Sequence, residues 1–340
     1  MPHGYGYNRK RLSRGKIVLI LIGAALLYAG ILLGVSQVGS SLEKSEAQEP
    51  VGSLDGRFDT EKLTLQYNGR TLTYRRQELT NLLLIGVDWM EESEASARYA
   101  GQADFLLLLT LDQRSRTVSA LQLDRDTITD IRVFGPFGDY TGITQTQLCL
   151  SYAYGRTKAE SAQSTVWSVS RLLGGIPIDG YLVMEMGGIA ALNDALGGVS
   201  VTLEEDFSAL DPQMTQGASL TLRGSQAEYF VRARMSVGDG TNVGRMRRQR
   251  AFIQAAAELF AQRVNEDMNY AGTVLDALSG YLTTDLERGW LINKTYACQK
   301  YTRPDMQTLA GKHSVGADGF TEFQVDADAL AAMLAAAYFE

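Results

Sequence analysis

The sequence predicts an α/β fold of three layers, α-β-α: a central mixed β-sheet flanked by helices and preceded by one N-terminal transmembrane helix. Two observations carry the fold class. Short apolar runs bounded by turn residues alternate with longer amphipathic stretches, which sets strands and helices in turn along the chain. Several of those runs are apolar throughout, as strands buried on both faces are. A third observation carries the membrane helix. Ile17 to Val35 is nineteen residues without a charge. At about 1.5 Å per residue such a run crosses the roughly 30 Å hydrocarbon core of a bilayer.

The first sixteen residues hold Arg9, Lys10, Arg11, Arg14 and Lys16 and no acid, a local charge of +5 in a chain of net charge −7. The rest therefore carries −12, and the first ionised group after the apolar run is Glu43. Basic residues on one side only predict a cytoplasmic N-terminus and an outer-face domain. The run is longer than the roughly 7–15 apolar residues of a cleaved signal, and no Ala-x-Ala pattern comes after it. No cysteine beside it offers a lipid attachment point. The expected organisation is a basic cytoplasmic tail (1–16), a signal anchor (17–38), a stalk (39–60) and an extracellular domain (61–340), a single-pass protein of the cell membrane. Cys149 and Cys298 make no disulfide framework, and either a pair or two buried free thiols fits them.

The elements run in order along the chain. Leu63 to Tyr67 and Arg70 to Tyr74 flank Asn68-Gly69, a hairpin whose turn accepts positive φ. Asn81 to Val87, Phe105 to Leu111 and Thr117 to Leu123 are strands, and Asp112 to Arg116 joins the last two as a hairpin. Arg156 to Leu173 is a helix stopped by Gly174-Gly175. Tyr181 to Met184 is a strand, Gly188 to Leu196 a helix and Val199 to Leu203 a strand. Phe230-Val-Arg-Ala-Arg-Met235 alternates like a strand, pointing Arg232 and Arg234 to one side. After a Gly238-Asp-Gly240 turn, Thr241 or Asn242 caps a helix on which Arg245, Arg248 and Gln249 share a face. Two or three more helices come after it, with a strand near Phe320 to Val325.

Between Phe230 and Phe252 lie six arginines, and no lysine occurs from Ala159 to Asn293. A solvated basic face mixes both residues. Arginine alone offers the flat donor fork that grips phosphate or carboxylate through two bonds. The cluster therefore points to an oxyanion, phosphate first, and a helix N-terminus beside it favours the same charge. For Arg247 and Arg250 a solvated outer face is the better reading.

Asp88 closes one strand, Asp104 opens the next, and Asp124-Arg125-Asp126 closes the third. The hairpin puts Asp104 and Arg125 at one sheet edge, and Asp88 joins them if its strand is also antiparallel to the second. Two carboxylates with no nitrogen or sulfur donor suit Mg²⁺, which completes its shell from phosphate and water. A metal among arginines is the apparatus of phosphoryl transfer. Each aspartate alone is a turn or cap residue, so the case rests on their joint placement. The two histidines, His3 and His313, leave little for a zinc site or a histidine triad. No P-loop, G-x-G-x-x-G or G-x-S-x-G motif is present. An acidic extracellular domain is also no nucleic-acid binder.

Taken together, Leu83-Leu-Ile-Gly-Val-Asp88, Ala103-Asp104 and Asp124-Arg-Asp-Thr127 resemble the opening motifs of the LytR–CpsA–Psr family. Ser151-Tyr-Ala-Tyr-Gly155, Leu196-Gly-Gly-Val199 and the arginine segment through Gln249 continue the resemblance in order, from about Asn81 to Phe260. It implies a membrane-anchored phosphotransferase of chiefly Gram-positive bacteria. Such an enzyme moves a glycopolymer, a teichoic acid or capsular polysaccharide, from a polyprenyl-pyrophosphate carrier onto peptidoglycan. By the resemblance Asp88 and Asp104 hold Mg²⁺, and Arg125, Arg232, Arg234, Arg245 and Gln249 grip the pyrophosphate. Asp88 or Asp126 takes a proton, and the prenyl chain lies in an apolar cleft between helices and sheet. Where the family usually has arginine, proline, lysine and asparagine, this chain has Gln102, Asp124, Gln147 and Cys149. A prenyl-pyrophosphate hydrolase and a non-catalytic module that binds lipid-linked intermediates are the alternatives.

Overall fold

The computed structural model describes residues 56–88, 101–135, 138–235 and 237–340. The basic tail, the anchor and most of the stalk lie outside the described residues. Among those described, no helix is long and apolar enough to cross a membrane.

The domain opens with a small antiparallel sheet of β1 (Phe58–Asp59), β2 (Thr64–Tyr67) and β3 (Arg70–Thr73). Asn68 and Gly69 sit at φ 49° and 73°, the two positive values a type I′ turn requires. Three long strands come next, β4 (Leu79–Asp88), β5 (Gln102–Asp112) and β6 (Thr117–Leu123), each antiparallel to the last. The hairpin β7 (Ile128–Phe134) and β8 (Tyr140–Gln147) stands apart from them, and a 3-10 turn, Leu148–Tyr152, leads to α1 (Lys158–Leu172). Thr157 caps α1 by accepting from the Glu160 amide.

Beyond α1 lie β9 (Gly180–Glu185), α2 (Gly187–Ala195), the paired β10 (Ser200–Thr202) and β11 (Ser219–Thr221), and α3 (Ser225–Arg232). The chain then forms α4 (Asn242–Glu266), α5 (Tyr270–Leu278), β12 (Leu282–Thr284), α6 (Arg288–Ala297) and β13 (Gln307–Thr308). A hairpin of β14 (Gly311–Val315) and β15 (Thr321–Val325) and a last helix, α7 (Ala327–Ala337), complete it.

The central sheet has the order β12-β9-β4-β5-β6-β13. It is mixed, because β9 runs parallel to β4 and β13 parallel to β6. Period-two alternation divides its leucines between two cores. Leu82, Leu84, Leu107 and Leu109 pack with Phe230 of α3, Phe252 of α4 and Leu291 of α6. Leu83, Ile85, Leu106 and Leu108 pack with Val169 of α1, Leu65 of β2 and Leu334 of α7. These strand residues are at most 3% exposed, and each contributes about 1.5–3 kcal/mol by leaving water. The expected helix–sheet–helix layering is thus present.

One open choice is settled and one expectation changes. Cys149 and Cys298 are both buried free thiols, which selects between the two readings of that pair. The segment from Phe230 is not a strand. It is the end of α3, because Gln226, Ala227, Phe230 and Val231 bury one face at helical spacing. Phe230 packs 5.8 Å from the ring of Phe207, and that contact outweighs the local strand preference of Phe-Val.

Candidate active site

Asp88 ends β4 on the face that carries Leu82 and Leu84, so it points toward α3. There Arg232, the last residue of α3, donates from Nη2 to both carboxylate oxygens at 2.9 and 2.8 Å. Arg232 also donates to Glu228 one turn earlier. Burial works against its charge, but the two carboxylates more than offset this and raise its pKa.

Asp104 owes its placement to a β-bulge. Gly86 pairs with Phe105 and Val87 with Ala103, so Asp104 is the extra residue with no partner in the ladder. A bulge shifts side-chain alternation by one and re-aims the side chains on either side of it. Ala103 and Leu106 therefore both face the second core. Asp104 meets Arg125, two residues past the end of β6, through Nη1, and Arg245 Nη2 stands 3.6 Å from the same carboxylate oxygen. The antiparallel condition on β4 holds, and Asp88, Asp104 and Arg125 share one sheet edge.

Arg125 also donates from Nη2 to Gln102 Oε1 at 2.6 Å and lies 3.0 Å from Cys149 Sγ. Gln147 turns away, donating to the Thr321 carbonyl at 2.7 Å. Arg245 reaches the site from the first turn of α4, whose N-cap is Thr241 as expected. Burial and the nearby charges of Arg125 and Arg234 push its pKa down to about 10. Asp126 and Asp124 pull the other way without offsetting this. Burial, with Asp124 nearby, raises the carboxyl of Asp126 against the opposing pull of Arg125, Arg234 and Arg245.

Among the described residues three buried atoms there have no hydrogen-bond partner, Arg125 Nε, Arg245 Nε and Asp126 Oδ2, although Arg125 Nε stands 3.4 Å from Asp126 Oδ1. Such groups cost about 1–3 kcal/mol each when left unsatisfied, a cost that a bound anion or an ordered water would remove. Arg234 is half-buried and donates to the Gly240 carbonyl at 3.3 Å.

The remaining arginines do other things. Arg248 donates from Nε to the Phe230 carbonyl at 3.0 Å, from Nη2 to the Ala233 carbonyl and from Nη1 to Glu205. It caps the C-terminal end of α3 and is a buried structural cation. Arg247 is exposed and paired with Glu204 and Glu205, as a solvated face predicts. Arg250 is half-buried and donates to Gln122 at 2.9 Å.

Beside the arginines an apolar cleft runs between the sheet and α2, α3 and α4. Gly86, Phe105, Met184, Ile189, Phe252 and Ile253 are among the residues that line it, with Gln249 as its polar member. Gln249 accepts from Gln122 Nε2 at 3.1 Å. Gly86 is needed there, since a Cβ would stand 2.9 Å from the Phe105 Cβ.

Sequence reasoning missed two members of this neighbourhood. His313 Nε2 lies 2.8 Å from Asp124 Oδ2, and Asn242 donates from Nδ2 to Asp124 Oδ1 at 2.7 Å. Nothing in a pattern of near neighbours signals a contact between residues 189 positions apart.

For a metal, the donors available are Asp88 and Asp104. No group of three or more His, Cys, Asp or Glu side chains gathers among the described residues. Two carboxylates cannot close a cage around a cation. Their oxygen-only chemistry suits Mg²⁺, which keeps positions for phosphate and water, but here Asp88 faces Arg232 and Asp104 faces Arg125, so the ion would have to take the place of those partners.

The model of the LytR_cpsA_psr family matches residues 34–337. A polyisoprenyl-teichoic acid–peptidoglycan teichoic acid transferase, TagU, from Halalkalibacterium halodurans is 30% identical over 285 residues, which are 80% of this chain and 84% of that one. Among solved structures, protein gbs0355 from Streptococcus agalactiae superposes with a TM-score of 0.61 at 23% identity, covering 76% of this chain and 86% of the other. TagT bound to LIIa-WTA superposes at 0.56 with 20% identity, covering 76% and 91%. Both share the fold.

Proposed function

We propose that this chain, which belongs to the LytR_cpsA_psr family, is a phosphotransferase that moves a glycopolymer from a polyprenyl-pyrophosphate carrier to peptidoglycan through a phosphodiester. One observation carries the reading. Guanidinium groups whose buried Nε donors have no partner among the described residues adjoin an apolar cleft, and Gln249, the cleft's polar member, follows Arg245 by one turn of α4. A prenyl pyrophosphate has that same two-part character. Its relative TagU is named for transfer of teichoic acid to peptidoglycan, which makes teichoic acid the first polymer to try.

In this reading Arg125, Arg232, Arg234, Arg245 and Gln249 grip the pyrophosphate, and the cleft takes the first prenyl units. Asp88 and Asp104 would hold Mg²⁺ in place of their arginine partners, and the ion would neutralise charge on the phosphate oxygens. An acceptor sugar hydroxyl forms a bond to the phosphorus that bears the polymer. The bond from that phosphorus to the bridging oxygen breaks, and polyprenyl phosphate leaves. Charge on the phosphoryl oxygens is what the arginines stabilise.

Asp126 is better suited than Asp88 to take the hydroxyl proton. Its Oδ2 is free and its pKa is raised, whereas both oxygens of Asp88 are held by Arg232. A raised pKa makes a carboxylate a stronger base. The apolar run within residues 17–38 anchors the domain at the outer face, next to its lipid substrate.

The test incubates the full chain in vesicles with lipid-linked polymer and peptidoglycan. Polymer on the glycan strand is expected. Release of free polymer selects the hydrolase, and bound lipid with no turnover selects the binding module.

A further inference from the structure

A line of hydrogen bonds runs from the C-terminal hairpin into the arginine cluster. His313 on β14 meets Asp124 Oδ2 at 2.8 Å. Asp124 Oδ1 accepts from Asn242 Nδ2 at 2.7 Å and from the Asp126 amide at 2.9 Å. Asn242 Oδ1 in turn accepts from Arg245 Nη2 at 2.8 Å. Asp124 and Asn242 are 5% and 4% exposed, so the inner links are shut off from water, while the His313 side chain at the outer end is 35% exposed. The hairpin is itself fixed against the same loop. The Phe323 amide donates to the Asp126 carbonyl at 2.8 Å, and the His313 and Phe323 rings are 4.7 Å apart.

Arg245 needs such a fixture. It is buried beside two other arginines, its nearest carboxylate is 3.6 Å away, and its Nε has no partner. Left alone, a long cation in that position would swing toward Asp104 or Asp126 and lose its aim. Asn242 sets the guanidinium, Asp124 sets Asn242, and His313 holds the remaining oxygen of Asp124. Both asparagine groups are thereby assigned, since the amide nitrogen faces the carboxylate and the amide oxygen faces the guanidinium.

We propose that His313 is a positioning residue for Arg245, acting through Asp124 and Asn242, so that the C-terminal hairpin completes the anion site. The substrate side of this inference rests on the function proposed above; the positioning itself does not.

The test uses the full chain in detergent micelles with geranylgeranyl pyrophosphate as probe. His313→Ala is expected to weaken binding about fivefold to tenfold by calorimetry. His313→Gln, whose amide can also donate to Asp124, is expected to recover part of that. In an Arg245→Ala background, His313→Ala should change nothing further, because there is no guanidinium left to aim. An unchanged Kd in the parent chain, or an equal loss in both backgrounds, overturns the proposal.

A second readout needs no ligand. The Arg245 side-chain ¹⁵N resonance, assigned by its loss in Arg245→Lys, should move in His313→Ala, and an unmoved resonance also overturns the proposal. If the parent chain binds no prenyl pyrophosphate yet that resonance moves, the functional reading fails and the positioning role stands.

Discussion

Arg245 Nη2 stands 3.6 Å from Asp104 Oδ1, the same oxygen that Arg125 engages. Two arginines 120 positions apart in sequence thus converge on one carboxylate atom. The Nε of each arginine has no hydrogen-bond partner among the described residues, and that spare donor capacity is what a phosphate would take up.

Arg125→Lys should weaken pyrophosphate binding about tenfold to a hundredfold, because a point charge cannot reproduce a fork of donors. Titration calorimetry with inorganic pyrophosphate measures it. An unchanged Kd removes Arg125 from the ligand set.

Asp126→Asn should abolish polymer transfer while leaving pyrophosphate binding as tight or tighter, since a negative charge beside three arginines is removed. Rate and affinity measured on one preparation separate the two effects. Transfer at the parent rate excludes Asp126 as the proton acceptor.

Ile253→Trp fills the apolar cleft from α4. Geranylgeranyl pyrophosphate should bind about tenfold more weakly, on the scale of a few buried methylenes, while inorganic pyrophosphate binds as before. Equal losses for both ligands would place the prenyl chain elsewhere.

Arg248→Ala leaves Glu205 without its buried partner and strips the cap from two carbonyls at the end of α3. The expected loss is about 3–5 kcal/mol of stability, the range for breaking a buried ion pair, read from the denaturant midpoint. A loss near zero would mean that Glu205 finds another partner.

Short-range rules account for the part of the fold that was legible in the sequence. Apolar runs located β4, β5 and β6, Asn-Gly located the first turn, and Thr241 located the start of α4. The site aspartates and Arg125 were legible because strand ends put them at one edge. Arg232 was assigned to the site by the wrong route. Phe-Val-Arg-Ala-Arg alternates like a strand, yet packing of Phe230 against Phe207 winds it into α3. Arg248 seemed to share the ligand face with Arg245, but three residues along a helix also brings it under the end of α3, where carbonyls claim it. His313 and the bulge at Asp104 had no local signal at all. One depends on a distant hairpin folding back, and the other on a count of residues across two strands.

That count has a consequence for engineering. β5 carries one residue more than β4 needs beside Gly86 and Val87. Deleting a single position between Gly101 and Asp104 would set Asp104 opposite Val87, where Ala103 is now buried. The carboxylate would turn from its arginines into the second core, at the cost of burying a charge among apolar side chains. The extra residue thus holds the acid at the site and keeps it out of the core.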